Sequence, residues 1–324
     1  MGRVSIGGQA VIEGIMMKNV DKYAIAVRKP DKEIELKIEN YTPVSSKCKL
    51  FKLPIIRGVF NFVESLLIGV KTLTYSAEFY DEEEDDKTKG KDIEKNEEEI
   101  IDNNSEEVAK KKETSDDLFM VGTVIFSIVL AVGLFMLLPA FLASLLDGVV
   151  KNHFALGLIE GVIRLAIFLL YVVLITLMED IKRTFMYHGA EHKTINCLEA
   201  GEDLTVENIM KHSRFHKRCG TSFLFIVMFV SILVFMCIRT ETVWLKLLYR
   251  VLLVPVIAGI SYEFIKFAGK YDNAVANILS KPGLWVQRLT TKEPTEDMVE
   301  VAIKAVEGVL DWREYLEEQK NEKK

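Results

Sequence analysis

Cysteine is scarce in this sequence, with four residues in 324: Cys48, Cys197, Cys219 and Cys237. No pair has CxxC spacing and no regular framework links them, which excludes a disulfide scaffold and leaves reduced, unpaired thiols as the expectation. A secretory leader is not expected either. Met1 to Gln9 has no apolar run and is broken by glycines, so insertion into a membrane would rely on an internal span. The glycines at Gly7-Gly8 and Glu13-Gly14 bracket a short apolar run without phosphate-loop spacing, so no nucleotide site is read there and tight turns or a close backbone approach are expected. Aromatic residues are absent from residues 81–117, where 17 acidic and 7 basic side chains give a charge of −10. Such a stretch cannot bury enough apolar area to offset its ordering entropy and reads as an acidic disordered linker.

That linker hides the character of the rest. The whole chain carries −6, but outside the linker 34 basic residues face 30 acidic ones, a mild excess of +4 that suits loops lying against an anionic membrane surface. Hydrophobic residues make up 49% of the chain and are concentrated in runs. Four runs have the length of a membrane helix: 118–146, carrying Pro139; 156–178; 221–238, with Thr221 or Ser222 as N-cap; and 244–265, which contains Arg250 and Glu263. Basic residues cluster before the first run (Lys110 to Lys112) and between the second and third (Lys182, Arg183, Lys193, Lys211, Arg214, Lys217, Arg218). The opposite connections carry chiefly Lys151 and Arg239. Both termini and the segment 179–220 are therefore expected on the cytoplasmic side of a multi-pass protein. The lipid bilayer is the expected surrounding, with no nucleic-acid partner.

The flanking segments read as follows. Residues 1–49 form a small β-rich unit: Glu33 to Glu39 alternates polar and apolar, Tyr23 to Val27 is a partner strand, and Pro30-Asp31-Lys32 is the turn between them. Residues 50–80 form an amphipathic or re-entrant helix whose polar stripe is Arg57, Asn61, Glu64 and Lys71. Residues 266–324 form a helical tail. Within it Thr295 to Arg313 presents Met298, Val301, Ala302, Ala305, Val306, Val309 and Leu310 on one face, which docks on the cytoplasmic loop or the β unit. The fold class is thus a mainly α-helical membrane protein with four transmembrane helices, a small N-terminal β-rich unit and a helical C-terminal tail.

Histidine is nearly as scarce as cysteine, yet four of the five histidines lie between residues 188 and 216. They form two pairs at i, i+4, His188/His192 and His212/His216, a spacing that sets two imidazoles on one helix face, able to share a metal ion. His188-Gly189-Ala190-Glu191-His192 fits the H-x-x-E-H pattern of inverted zincins, in which the glutamate serves as base. Glu263 is a candidate third ligand, with His212, His216 and Cys219 as rivals. Against this, histidines among so many lysines and arginines can simply pack or touch lipid headgroups, and Arg218-Cys219-Gly220 also reads as a turn entering the third span. Glu160 and Arg164, i, i+4 partners inside the second span, can pair with each other or, with Arg250, line a transport path.

Five stretches carry a family resemblance: GGQAVIEGIMM (7–17), YHGAEHKTINCLEAGEDLTVEN (187–208), HSRFHKRCGTSFL (212–224), AGISYEFIKF (258–267) and LTTKEPTEDMVEVAI (289–303). Together they resemble the YqhQ-like bacterial family of unknown function, over nearly all of the chain outside the acidic linker. The resemblance implies a protein of the bacterial cytoplasmic membrane. Its members are labelled predicted metal-dependent enzymes, a label drawn from the same histidines. The leading expectation is therefore a metal-dependent hydrolase at the cytoplasmic interface, with His188, His192 and one or more of His212, His216 and Glu263 holding a divalent metal such as zinc and Glu191 activating water. The alternative is a transporter, or a scaffold that docks a cytoplasmic partner.

Overall fold

A computed structural model describes residues 6–44, 51, 53–92, 122–123, 125–146, 148–238, 240, 242–270 and 273–322. The described chain divides into two compact units, Met1–Glu83 with Val172–Lys324, and Glu84–Tyr171.

In the first unit four strands, β1 (Gly7–Val11), β2 (Gly14–Lys18), β3 (Lys22–Arg28) and β4 (Ile34–Asn40), form an antiparallel meander in sequence order. Ile12 and Glu13 make the first turn, with Glu13 at φ 46°. The expected turn after Pro30 places Lys32 at φ 72°, and the Asp31 carboxylate accepts from the Glu33 amide at 2.9 Å, closing an Asx-type turn. β2 and β3 are buried on both faces, which is why they read as unbroken apolar runs; β4, at the sheet edge, alternates.

Each face of this sheet meets helix. On one, Val11, Met16, Tyr23, Ile25 and Val27 pack with Ile68 of helix α1 (Ile56–Asp92). This helix is the one expected over residues 50–80. It continues through residue 92 into the acidic stretch; the remainder of that stretch, like Cys48, lies outside the described residues. The other face, through Ile15, Met17, Ala24 and Ala26, belongs to a larger core that includes residues of helices α4 (Glu179–Ala200), α5 (Val206–Lys211), α9 (Glu296–Val309) and α10 (Trp312–Glu322). The apolar face expected on the tail is the buried one: Met298, Val301, Ala302, Ala305, Val306 and Val309 all lie in this core. α4 begins with Glu179 and Asp180, carboxylates that suit a helix N-terminus, and stops at Gly201, whose φ of 82° allows its amide to turn back to Leu198 O at 3.1 Å.

The apolar helices fall in both units. α2 (Ile125–Ser144) and α3 (His153–Ile175) are long and apolar enough to cross a membrane, as is Leu248–Ala268 within α7 (Val243–Lys270). α2 passes through a π-helical turn at Gly133–Leu137, just before Pro139, which has no amide proton to give to the helix. In the second unit Glu160 and Arg164 of α3 are buried and hold each other at 2.8 Å. α6 (Gly220–Met236), expected as a further span, is apolar but has only 17 residues. At 1.5 Å per residue that is about 26 Å, short of a hydrocarbon core of about 30 Å. The described residues thus contain three helices of membrane-crossing length, where the sequence suggested four.

α7 is fixed to the start of α1. A Cβ on Gly58 would stand 2.9 Å from the Gly259 Cα, so the two glycines let the helix backbones touch. One turn further Arg57 grips Glu263 with two hydrogen bonds, Nε to Oε1 at 2.6 Å and Nη2 to Oε2. Asn61 donates to the Tyr262 hydroxyl at 2.7 Å. The polar stripe of α1 is therefore partly an interface with α7.

Candidate metal centre

α4 is buried along most of its second half, from Tyr187 to Leu198, because the sheet and α9 cover one side and the segment 212–219 covers another. That segment is tied down by polar side chains of α4. The Lys193 ammonium donates to Met210 O and His212 O, both at 2.9 Å, and pairs with Glu293 at 3.0 Å. Asn196 donates to Ser213 O at 2.6 Å and Phe215 O at 3.1 Å. A further helix, α8 (Ala274–Thr290), brings its C-terminus to the same place.

His188 and His192 are oriented by backbone. His188 Nδ1 lies 2.9 Å from Thr290 O and His192 Nδ1 lies 2.7 Å from Arg214 O. A carbonyl only accepts, so each Nδ1 carries the proton and each neutral ring keeps its lone pair on Nε2. His188 Nε2 is 3.2 Å from the Cys219 sulfur, the two rings are 4.4 Å apart between centroids, and one ligand atom each from His188, His192 and Cys219 lie within 4.8 Å of one another. Ligand atoms of a tetrahedral zinc stand about 3.3–3.6 Å apart, given bonds of about 2.0–2.3 Å, so the group needs only a small contraction to close on an ion. The Glu191 carboxylate borders it, 3.6 Å from His192 Nε2 and 3.9 Å from His188 Nε2. Glu191 has room because residue 8 is glycine: a Cβ there would stand 2.6 Å from the Glu191 Cγ.

The electrostatics follow the same contacts. Burial works against charge on His188, yet the Cys219 sulfur beside it, with Glu191 and the Thr290 carbonyl, pushes its pKa up to about 9. Burial likewise opposes a thiolate, and His188 and His192 overcome it, holding Cys219 well below the ordinary thiol range. Cys219 is also the N-cap of α6, where its sulfur accepts from the Thr221 amide at 3.4 Å.

The second histidine pair is placed differently. His216 stands next to His192, with ring centroids 5.7 Å apart, but its Nε2 faces Glu199 at 3.5 Å. His212 Nε2 faces Glu202 at 3.3 Å, in a separate group with Cys197. The Cys197 thiol points at Glu202 O and Asp203 O, and burial, helped by those two acidic side chains, pushes it up to about 12. It is a neutral hydrogen-bond donor there, not a ready ligand. Glu263 is engaged by Arg57. Among the described residues the geometry therefore groups Cys219, rather than Glu263, His212 or His216, with the first histidine pair. The available signal was its position three residues after His216 at the mouth of an apolar helix. A cavity of about 480 Å³ is lined by Gly8, Lys18, Asn61, Glu64 and Tyr262 among others; it shares Gly8 with Glu191, but neither the histidines nor Cys219 line it.

Residues 53–312 match the family described as "Protein of unknown function (DUF1385)". The chain is similar to "Uncharacterized protein YqhQ" of Bacillus subtilis (strain 168), 36% identical over 308 residues that cover 94% of this chain and 92% of the relative. No solved structure matches.

Proposed function

Because the chain belongs to the DUF1385 family, described only as of unknown function, its activity has to be read from the site itself, and we propose that it is a multi-pass protein of the bacterial cytoplasmic membrane that holds a divalent metal through His188, His192 and Cys219 and acts as a metal-dependent hydrolase. One observation carries this reading: both imidazoles are tethered through Nδ1 to backbone carbonyls, at 2.9 and 2.7 Å, beside one buried sulfur. A hydrogen bond on the far nitrogen is the usual support of a metal-bound histidine.

His188, His192 and Cys219 would hold the ion as a His2Cys set, which suits zinc and would leave room beside it for water or substrate. A bound divalent ion supplies Lewis acidity, polarising a carbonyl or phosphoryl oxygen and bringing the pKa of water towards neutrality. Glu191 is placed to hold and pass on the proton, since its carboxylate lies beside both Nε2 atoms without being part of the closest group. Lys193 and Asn196 fix the segment that carries Arg214 O and Cys219, so they are positioning residues. In this topology α6 counts as a short fourth crossing, and both termini stand on the cytoplasmic side with the site. Of the charges that favoured a transporter, Glu160, Arg164 and Arg250, the first two are engaged with each other.

Elemental analysis of the protein purified in detergent tests the reading. Metal should be near-stoichiometric, and the cobalt-substituted form should show a thiolate-to-cobalt charge-transfer band that disappears in Cys219→Ser. Metal-free native protein, or a cobalt form whose spectrum ignores Cys219→Ser, overturns it.

Metal uptake should also release a proton. In the ion-free site His188 and Cys219 share one proton across 3.2 Å, and with His188 raised to about 9 that proton stays on the pair at neutral pH. A metal needs both groups without it. Calorimetric titrations at pH 7.5 in buffers of different ionisation enthalpy should give about one proton released per ion, falling towards zero as the pH rises through about 9. A pH-independent release of zero would show that the pair is not the ligand set.

A further inference from the structure

α8 begins four residues after the end of α7, the membrane-length helix, and its two faces differ. One face is buried: Ala276, Ser280, Gly283, Val286, Gln287 and Thr290. It rests on the start of α6, where Gly283 is so close that a Cβ would meet the Ser222 hydroxyl at 2.5 Å. The other face holds Ile278 and Trp285, 63% and 54% exposed, with Lys281, Pro282 and Arg288 also exposed between and beside them. At 100° per residue these five positions fall within an arc of about 120°, apolar in its centre with both cations along one flank. Neither Lys281 nor Arg288 has an acidic partner among the described residues.

We infer that α8 is an interfacial helix seated in the headgroup layer of an anionic phospholipid leaflet, with Ile278 and Trp285 reaching the acyl chains and Lys281 and Arg288 reaching the phosphates. Continuity with the membrane-length helix places α8 where such a leaflet surface must be. A tryptophan with flanking cations is the side-chain chemistry that anchors a helix there, whereas two large apolar side chains aligned beside two cations have no purpose in bulk water. The seat is joined to the histidine cluster. Gln287 takes the His216 amide at 2.9 Å and donates to His216 O at 2.8 Å, and the last residue of α8 supplies the Thr290 carbonyl that orients His188. The cluster thus stands one helix away from the lipid surface. This inference holds whether or not an ion is bound.

Tryptophan fluorescence tests it in the full-length protein reconstituted into vesicles. Of the three tryptophans, Trp312 is buried in the core of the sheet unit, and Trp244 is highly exposed at the other end of α7, so Trp244→Phe leaves Trp285 as the residue that lipid can reach. Phospholipid brominated high on its acyl chains should quench this variant, and the quenching should vanish when Trp285→Phe is added. Brominated phosphatidylglycerol should quench more strongly than brominated phosphatidylcholine, and Lys281→Glu with Arg288→Glu should abolish the difference. Quenching that survives loss of Trp285, or no quenching, overturns the membrane seat. Equal quenching by the two lipids overturns the assignment to an anionic leaflet.

Discussion

Replacing His188 and His192 together with alanine should empty the metal site: content falls from about one ion per chain, the occupancy expected of a three-ligand centre, to background. Replacing His212 and His216 together should not do so. In the sequence the two pairs share i, i+4 spacing among basic residues, and only the H-x-x-E-H pattern around the first sets it apart. The structure separates them. The first pair has both Nδ1 atoms spent on carbonyls and shares a ligand-distance group with Cys219, whereas the Nε2 atoms of the second pair face Glu199 and Glu202. Glu191→Gln is the internal control, because the amide keeps the shape of a group that borders the ligands. Metal should remain in that variant. Loss of metal from His212→Ala/His216→Ala but not from His188→Ala/His192→Ala would move the site elsewhere and end the proposal. Far-ultraviolet circular dichroism of both double variants is the folding control, because His192 and His216 are buried and each truncation leaves a gap beside α4.

Much of the fold could be read in advance because it obeys one periodicity at a time. β4 alternates because only one of its faces is covered, and α9 shows its stripe because it lies flat on a sheet. α2 is apolar all round, and so is α3 apart from its internal Glu160–Arg164 pair. α6 defeated the length rule: its composition is that of a span, but the helix closes after 17 residues. The site was half legible. His188, Glu191 and His192 are neighbours on one helix, so spacing alone brings them together. Cys219 joins them only because Lys193 and Asn196 pin the segment before it against α4, and that depends on hydrogen bonds to backbone carbonyls, which no residue pattern announces. Glu263 looked available because a lone carboxylate near the end of a span is conspicuous; its partner Arg57 lies 206 residues earlier.

Gly189→Ala should cost the protein both stability and metal affinity, and the sign of the stability change is the decisive part. Considered locally, the substitution is favourable, because alanine is preferred to glycine inside a helix by about 1 kcal/mol. The surroundings demand the opposite. A Cβ at residue 189 would stand 2.0 Å from the Lys292 carbonyl oxygen, a backbone atom that cannot swing aside as a side chain would. The segment carrying that oxygen is held to α4 on its other side, where the Lys292 amide donates to Phe185 O at 2.9 Å. Relief therefore means lifting the connection between α8 and α9 away from α4. Such overpacking costs about 1–3 kcal/mol, enough to reverse the local gain and lower the midpoint of thermal unfolding. The same movement withdraws Thr290 O, two residues upstream, from His188 Nδ1. Losing a partner of this kind weakens a metal site by about 10–100-fold, which a competitive chelator titration would register. A variant that melts higher than the native protein would show that helix propensity outweighs the crossing, and that α4 and this connection do not approach as closely as the site requires.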